Sequence, residues 1–210
     1  INQNGENYYP AISGDGKSMV FTAYQEIKDP IEGDGFFDII YYSTLDGSEW
    51  KKPKDISQDV ASDGYFSSTG LSYNGDLLIM YRDDYGNGNL YFSTKDKNTW
   101  TPFVKFPKQI NSKYNETHGS LSKDGKTLFF VSDKPGGIGG KDIYKCIADN
   151  EGRWGVPENL GNVINTEFEE ETPFLAEDGR TLFFASEAHN SMGGYDIFKS
   201  VMDDNGNWSE

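Results

Sequence analysis

The chain has 210 residues, enough to bury a sizeable core, and its 19 Lys and Arg against 34 Asp and Glu leave a net charge of −15. That charge repels phosphate backbones and anionic headgroups, so neither nucleic acid nor direct insertion into a membrane is expected of it. A single cysteine, Cys146, excludes an internal disulfide framework and a cysteine-based zinc cluster.

In chain order, one sixteen-residue frame recurs without a gap: "INQNGENYYPAISGDG" (1–16), "VASDGYFSSTGLSYNG" (60–75), "INSKYNETHGSLSKDG" (110–125) and "INTEFEEETPFLAEDG" (164–179). Each copy closes on Asp-Gly or Asn-Gly, dipeptides that tolerate positive φ and so predict a tight hairpin. An apolar segment follows at once, "SMVFTA", "LLIMYR", "TLFFVS" or "TLFFAS". Its weak alternation predicts a strand covered on both faces. A third strand opens on Asp38, Asn89, Asp142 or Asp196, and a fourth carries Trp50, Trp100, Trp154 or Trp208. The prolines that follow three of these tryptophans suit an outer, edge-like position.

Four antiparallel strands per repeat, with buried sheet faces, predict an all-β fold: one β-propeller domain over 1–210, with blades at about 1–59, 60–109, 110–163 and 164–210. A helical solenoid would need a 3.6-residue apolar period that no segment shows. A β-sandwich would not explain the gapless copies. Copy 4 stops two residues after Trp208, so a truncated outer strand is expected, with the propeller forming part of a larger one completed by segments outside these residues.

"SKDGKTLFFVSDKPGGIGGKDIYKC" and "AEDGRTLFFASEAHNSMGGYDIFKS", each followed by a tryptophan strand and once by "VPENLGNVINT", resemble the PD40 (WD40-like) repeats related to the TolB propeller. The pattern is most similar to repeats in Bacteroidetes-type envelope proteins that join such a propeller to an OmpA-like domain, including a lipoprotein of the type IX secretion system. Copy 2 departs from it at Asn74 and Asn89. The resemblance implies a non-enzymatic interaction module, periplasmic and associated with the outer membrane, whose partners are envelope proteins or peptidoglycan-associated ones.

Most length variation between copies lies between strands two and three, longest in copy 1 with "YQEIKDPIEGDGFF". These loops share one face with the inter-blade linkers, because antiparallel strands alternate in direction. Variable loops on a fixed scaffold are the usual carriers of binding. The candidate binding residues on that face are Asp34, Arg82, Asp83, Asp84, Asp133, Glu167, Glu169, Glu170, Glu171 and His189, an acidic rim suited to solvation or to a basic partner.

The recurring Asp38, Asn89, Asp142 and Asp196 read as structural groups that bond their own loops, and the four tryptophans as packing groups. "GGIGGKD" (136–142) fails as a phosphate loop, since Pro135 and Asp142 stand where glycine and a hydroxyl are required. Two histidines, His118 and His189, are too few for a three-histidine metal centre, and no calcium-loop frame is present, so no metal or cofactor is expected. No nucleophile-elbow frame appears, and no catalytic residue is assigned. The competing expectation is a carbohydrate-active propeller, a lyase, hydrolase or glycan-binding module. It would use acids such as Glu116, Glu170 and Asp133 across the channel.

Overall fold

The computed structural model describes residue 2, residues 5–27 and residues 35–209. Among these residues there are seventeen strands and no α-helix, hence no helix long and apolar enough to cross a membrane. Blade 1 holds β1 (Glu6–Ile12), β2 (Ser18–Ile27), β3 (Gly35–Asp46), β4 (Glu49–Trp50) and β5 (Lys54–Asp55). Blade 2 holds β6 (Phe66–Leu71), β7 (Leu77–Asp83), β8 (Gly88–Asp96), β9 (Thr99–Trp100) and β10 (Val104–Lys105). Blade 3 holds β11 (Glu116–Leu121), β12 (Thr127–Ser132), β13 (Asp142–Ile147) and β14 (Glu158–Asn159). Blade 4 holds β15 (Glu170–Leu175), β16 (Thr181–Ser186) and β17 (Asp196–Val201).

The hairpin dipeptides act as their sequence requires: Gly16, Gly75, Gly125 and Gly179 all adopt left-handed φ, between 67° and 71°. A side chain is costly there. Every sheet is antiparallel, and each innermost strand carries a bulge against its neighbour. β1, β6, β11 and β15 touch in that order about an axis, making a four-bladed β-propeller. β15 and β1 do not touch one another.

The core lies between consecutive blades. Val20, Ile40, Phe66, Leu78 and Met80 join blades 1 and 2; Ile79, Leu90, Leu128 and Phe130 join 2 and 3; Phe129, Ile143, Leu182 and Phe184 join 3 and 4. Alternate residues of β7 and β12 therefore serve opposite neighbours, which is why these segments are apolar throughout. The tryptophans reach back to the preceding blade: Trp100 meets Tyr42 edge-on at 5.4 Å, Trp154 meets Phe106 at 6.0 Å and Trp208 meets Phe129 at 6.3 Å. Trp50 has no such ring contact among the described residues and is half-buried.

Two details differ from the sequence-based expectation, the outer edge and the register of blade 1. The tryptophan segments are two-residue strands or single bridges, and a separate short pair (β5, β10, β14) forms the outer edge in blades 1 to 3. Blade 4, for which the sequence predicts a truncated outer strand, ends in the Met202–Trp208 bridge and has a three-stranded sheet among the described residues. In blade 1 the third strand is slipped by one residue: Ile40, not Ile39, occupies the place of Leu90 and Ile143, each bonded through its N–H to the following linker. Asp38 is consequently not the counterpart of Asp142. It sits opposite Tyr24 and accepts from the hydroxyls of Tyr8 and Ser67.

Candidate functional site

The two inner acids of copies 3 and 4 are fully buried. Glu116 accepts from the Ser112 N–H (2.8 Å), the Ser112 hydroxyl (2.8 Å) and the Ser132 hydroxyl (2.8 Å). Glu170 repeats the arrangement with the Thr166 N–H (2.9 Å), the Thr166 hydroxyl (2.7 Å) and the Ser186 hydroxyl (2.8 Å). Each carboxylate thus ties the linker entering its blade to the end of the blade's second strand. Burial still pushes the Glu116 carboxyl above its ordinary range, against the Ser112 and Ser132 bonds that lower it. The expected exposure of Glu170 on the loop face is corrected by this placement, since the inner-strand register turns it inward while its neighbours Glu169 and Glu171 point to the face.

Most other acids on that face are engaged within the molecule. Asp84 accepts from the Tyr91 hydroxyl (2.5 Å), the Asn89 amide (2.9 Å) and Lys105 (3.0 Å), with Arg82 at 3.3 Å. Burial raises its carboxyl pKa, but these bonds and charges outweigh it and hold the group below the ordinary range. Arg82 also pairs with Asp63 at 2.8 Å. Asp133 accepts from the backbone and side-chain amides of Asn115. Lys141 sits between Glu169 (3.2 Å) and Glu171 (2.5 Å), and Tyr195 donates to Glu169 (2.8 Å). Asp83 and Glu167 are exposed. His189 turns inward, with Nε2 3.0 Å from the Ile164 carbonyl and its ring against Phe184 and Phe198. Asp34 lies outside the described residues.

Lys141 and Tyr195 were not singled out from sequence, although both follow a Gly-Gly pair in a variable loop. In blade 3 the first glycine is required by contact: a Cβ on Gly139 would fall 2.1 Å from the Phe168 carbonyl oxygen. The loop of blade 3 therefore lies directly on the linker of blade 4, and Gly140 donates to that same carbonyl at 3.0 Å. This close approach delivers Lys141 to the acids. Asp142 holds the loop through the Ile138 and Gly139 N–H groups, and Asp196 does so through the Met192 N–H. Asn89 instead donates, to Asp84 and the Asn87 carbonyl.

Along the axis the inner strands enclose a cavity of roughly 570 Å³, reached from the turn face and walled by Tyr9, Pro10, His118, Thr172, Pro173 and Phe174 among others. A second cavity of roughly 150 Å³ opens toward the loop face, shares Tyr9, Thr69 and His118 with the first, and ends on Tyr81, Lys141 and Glu171. His118 is at the waist between them. Its Nδ1 is 3.1 Å from the Thr117 hydroxyl, the Tyr9 ring meets it edge-on at 5.4 Å, and its Nε2 has no hydrogen-bond partner among the described residues. No cluster of three or more metal-ligating side chains occurs among the described residues.

Fold and site together define a β-propeller with an axial cavity and an ion-paired loop face. TolB from Acinetobacter baumannii is similar over 98% of this chain and 42% of its own, at 21% identity and a TM-score of 0.58. A protein assigned as TolB from Agrobacterium tumefaciens is similar over 99% of this chain and 80% of its own, at 14% identity and a TM-score of 0.54. An α-L-arabinofuranosidase from Lactobacillus brevis matches over 96% of this chain and 74% of its own, at 13% identity and a TM-score of 0.58. The chain spans less than half the length of the Acinetobacter protein. At these identities the likeness establishes the propeller fold, which scaffold proteins and enzymes share. No family model and no curated protein matches the chain.

Proposed function

We propose that this chain is a non-enzymatic β-propeller interaction module of the bacterial cell envelope, periplasmic and associated with the outer membrane. Its loop face docks an envelope protein, and a place in an outer-membrane secretion machinery is the finer form of the same reading. The PD40-type repeats and the TolB likeness over nearly the whole chain support the envelope setting.

One observation carries the choice of docking over glycoside chemistry: the acids that would do the chemistry are occupied. A glycosidase needs two carboxyl groups facing an open cleft, one free to give a proton. Here Glu116 and Glu170 are buried with both oxygens bonded, and Asp133 is held by Asn115. What the loop face offers instead is exposed Asp83 and Glu167 together with exposed Tyr85 and Tyr65, a mixture of residue types common at protein interfaces.

The test is capture from a solubilised envelope fraction with immobilised protein. Asp83→Lys combined with Glu167→Lys should abolish capture of a defined partner, while Asp124→Asn on the turn face should leave it intact. Turnover of an arabinoside or mannoside panel that disappears in Glu116→Gln would overturn the reading in favour of an enzyme.

A further inference from the structure

We propose that the axial cavity is a binding site for a neutral pyranose ring, with a sugar hydroxyl paired to His118 Nε2 and the ring's C–H face laid on Tyr9 and Pro10. The site is separate from the loop-face docking surface, so either can fail without the other.

Four observations lead there. First, the cavity has the size of a small-molecule site. Second, among the described residues its turn-side wall holds no charged side chain, although the chain carries a net charge of −15. Lys141 and Glu171, at the loop-side end, already pair with each other. A charged ligand would lose its water with no counter-charge to meet it, so the occupant is neutral.

Third, His118 is 8% exposed and its Nε2 is buried without a hydrogen-bond partner. A buried polar atom left unpaired is costly, and a ligand group that pairs with it recovers that cost. A hydroxyl both donates and accepts, so it suits the imidazole in either tautomer. Burial lowers the His118 pKa, the Glu171 charge opposing, which keeps the ring neutral and matched to a neutral partner.

Fourth, the two inner strands that face each other across the cavity are built alike. Tyr9 and Thr172 both take left-handed φ of 49°, rare for residues with a side chain, and each is followed by proline. Pro10 and Pro173 remove a backbone donor from the free inner edges of β1 and β15. Those edges therefore resist the pairing by which an extended peptide would add as a strand. On β1 the exposed Tyr9 ring and Pro10 pyrrolidine offer flat surface instead, which suits the apolar face of a sugar, and Thr69 and Thr172 leave hydroxyls for its rim.

The chain has two histidines, which makes the test direct. D-glucose and N-acetyl-D-glucosamine should shift the His118 imidazole nitrogens and the Tyr9 ring signals in NMR spectra of the intact chain, and leave His189 unmoved. Glucuronate and glucosamine, the charged analogues, should shift neither. Tyr9→Ala, a change at a partly exposed position, should weaken glucose binding about tenfold with the fold retained. Cellobiose binding more tightly than glucose would assign the site to the end of a glycan chain, and equal affinity to a free sugar; both support the site. Absence of a His118 shift with any neutral sugar, equal response to the charged analogues, or unchanged affinity in Tyr9→Ala would overturn it.

Discussion

The junction between blades 1 and 2 and the two junctions that follow use the same frame with opposite chemistry. At blades 3 and 4, the first residue of the inner strand is a buried glutamate bonded to a serine across the sheet, Glu116 to Ser132 and Glu170 to Ser186. At blade 2 the corresponding pair is Phe66 and Arg82, also opposite one another, with the guanidinium 5.1 Å from the ring centroid. Phe66 then gathers Tyr91 and Phe103 at 5.1 Å and 4.4 Å. The linkers change with the pair. The Asn111 and Asn165 side chains bond both backbone groups of Leu90 and Ile143, whereas the Ser57 hydroxyl meets only the Ile40 N–H and the Ile40 carbonyl accepts from the Ile56 N–H. A repeat can therefore close a blade junction with a saturated polar latch or with an aromatic cluster, provided both members of the cross-strand pair change together.

The largest expected effect comes from breaking the aromatic version. Phe66→Ala should destabilise the domain by about 3–5 kcal/mol, read as a lower urea midpoint, because Phe66 is fully buried in a ring cluster. Glu170→Ala should cost about 3 kcal/mol, from leaving the Thr166 N–H and two hydroxyls without an acceptor. A smaller effect sharpens the comparison. If the pair is the unit, Glu116→Phe combined with Ser132→Arg should be more stable than the sum of the single changes by about 1 kcal/mol in a double-mutant cycle.

Loss of Asp142 should exceed loss of Asn89. Asp142 accepts from Ile138 N–H, Gly139 N–H and the Asn159 amide, whereas Asn89 donates twice and leaves its own oxygen unpartnered. Asp142→Ala is expected to cost about 2 kcal/mol and Asn89→Ala about 1, both from urea midpoints.

The smallest effect is a pH dependence. His118 takes up its proton at lower pH in the folded chain than its ordinary value of 6.5, because it is buried beside Lys141, with Glu171 opposing. Its contribution to stability is therefore complete above that value and is lost as pH falls below it. His118→Asn should flatten the decline in urea midpoint between about pH 7.5 and 5.5, above the carboxylate range.

Much of this architecture was legible in the sequence because turn chemistry and apolar runs are local. The Asp-Gly hairpins and the all-β, four-bladed architecture follow from short-range spacing. The fate of the acids was not legible in the same way. In "EFEEET", three consecutive carboxylates look alike, yet register buries Glu170 and sends Glu169 and Glu171 to Lys141. The available signal was the Ser or Thr four residues before each buried Glu together with the Ser sixteen after it, both present in copies 3 and 4, whereas copy 2 keeps Ser62 before Phe66 and has Arg82 in place of the later Ser. The one-residue slip of Asp38 was hidden because loop length alone does not fix hairpin register. The bareness of blade 4 is likewise non-local. Phe183 and Ile197 are exposed at 36% and 81%, while their counterparts Phe129 and Ile143 are buried only because a further blade lies against them.

The claim that the inner glutamates are junction latches is tested most directly by amide hydrogen exchange on Glu170→Ala beside the unaltered chain. Thr166 and its flanking linker should lose protection in the variant, while Ser112, latched by Glu116 at the other junction, keeps it. Unchanged protection at Thr166, or a loss spread equally over both junctions, would contradict the latch.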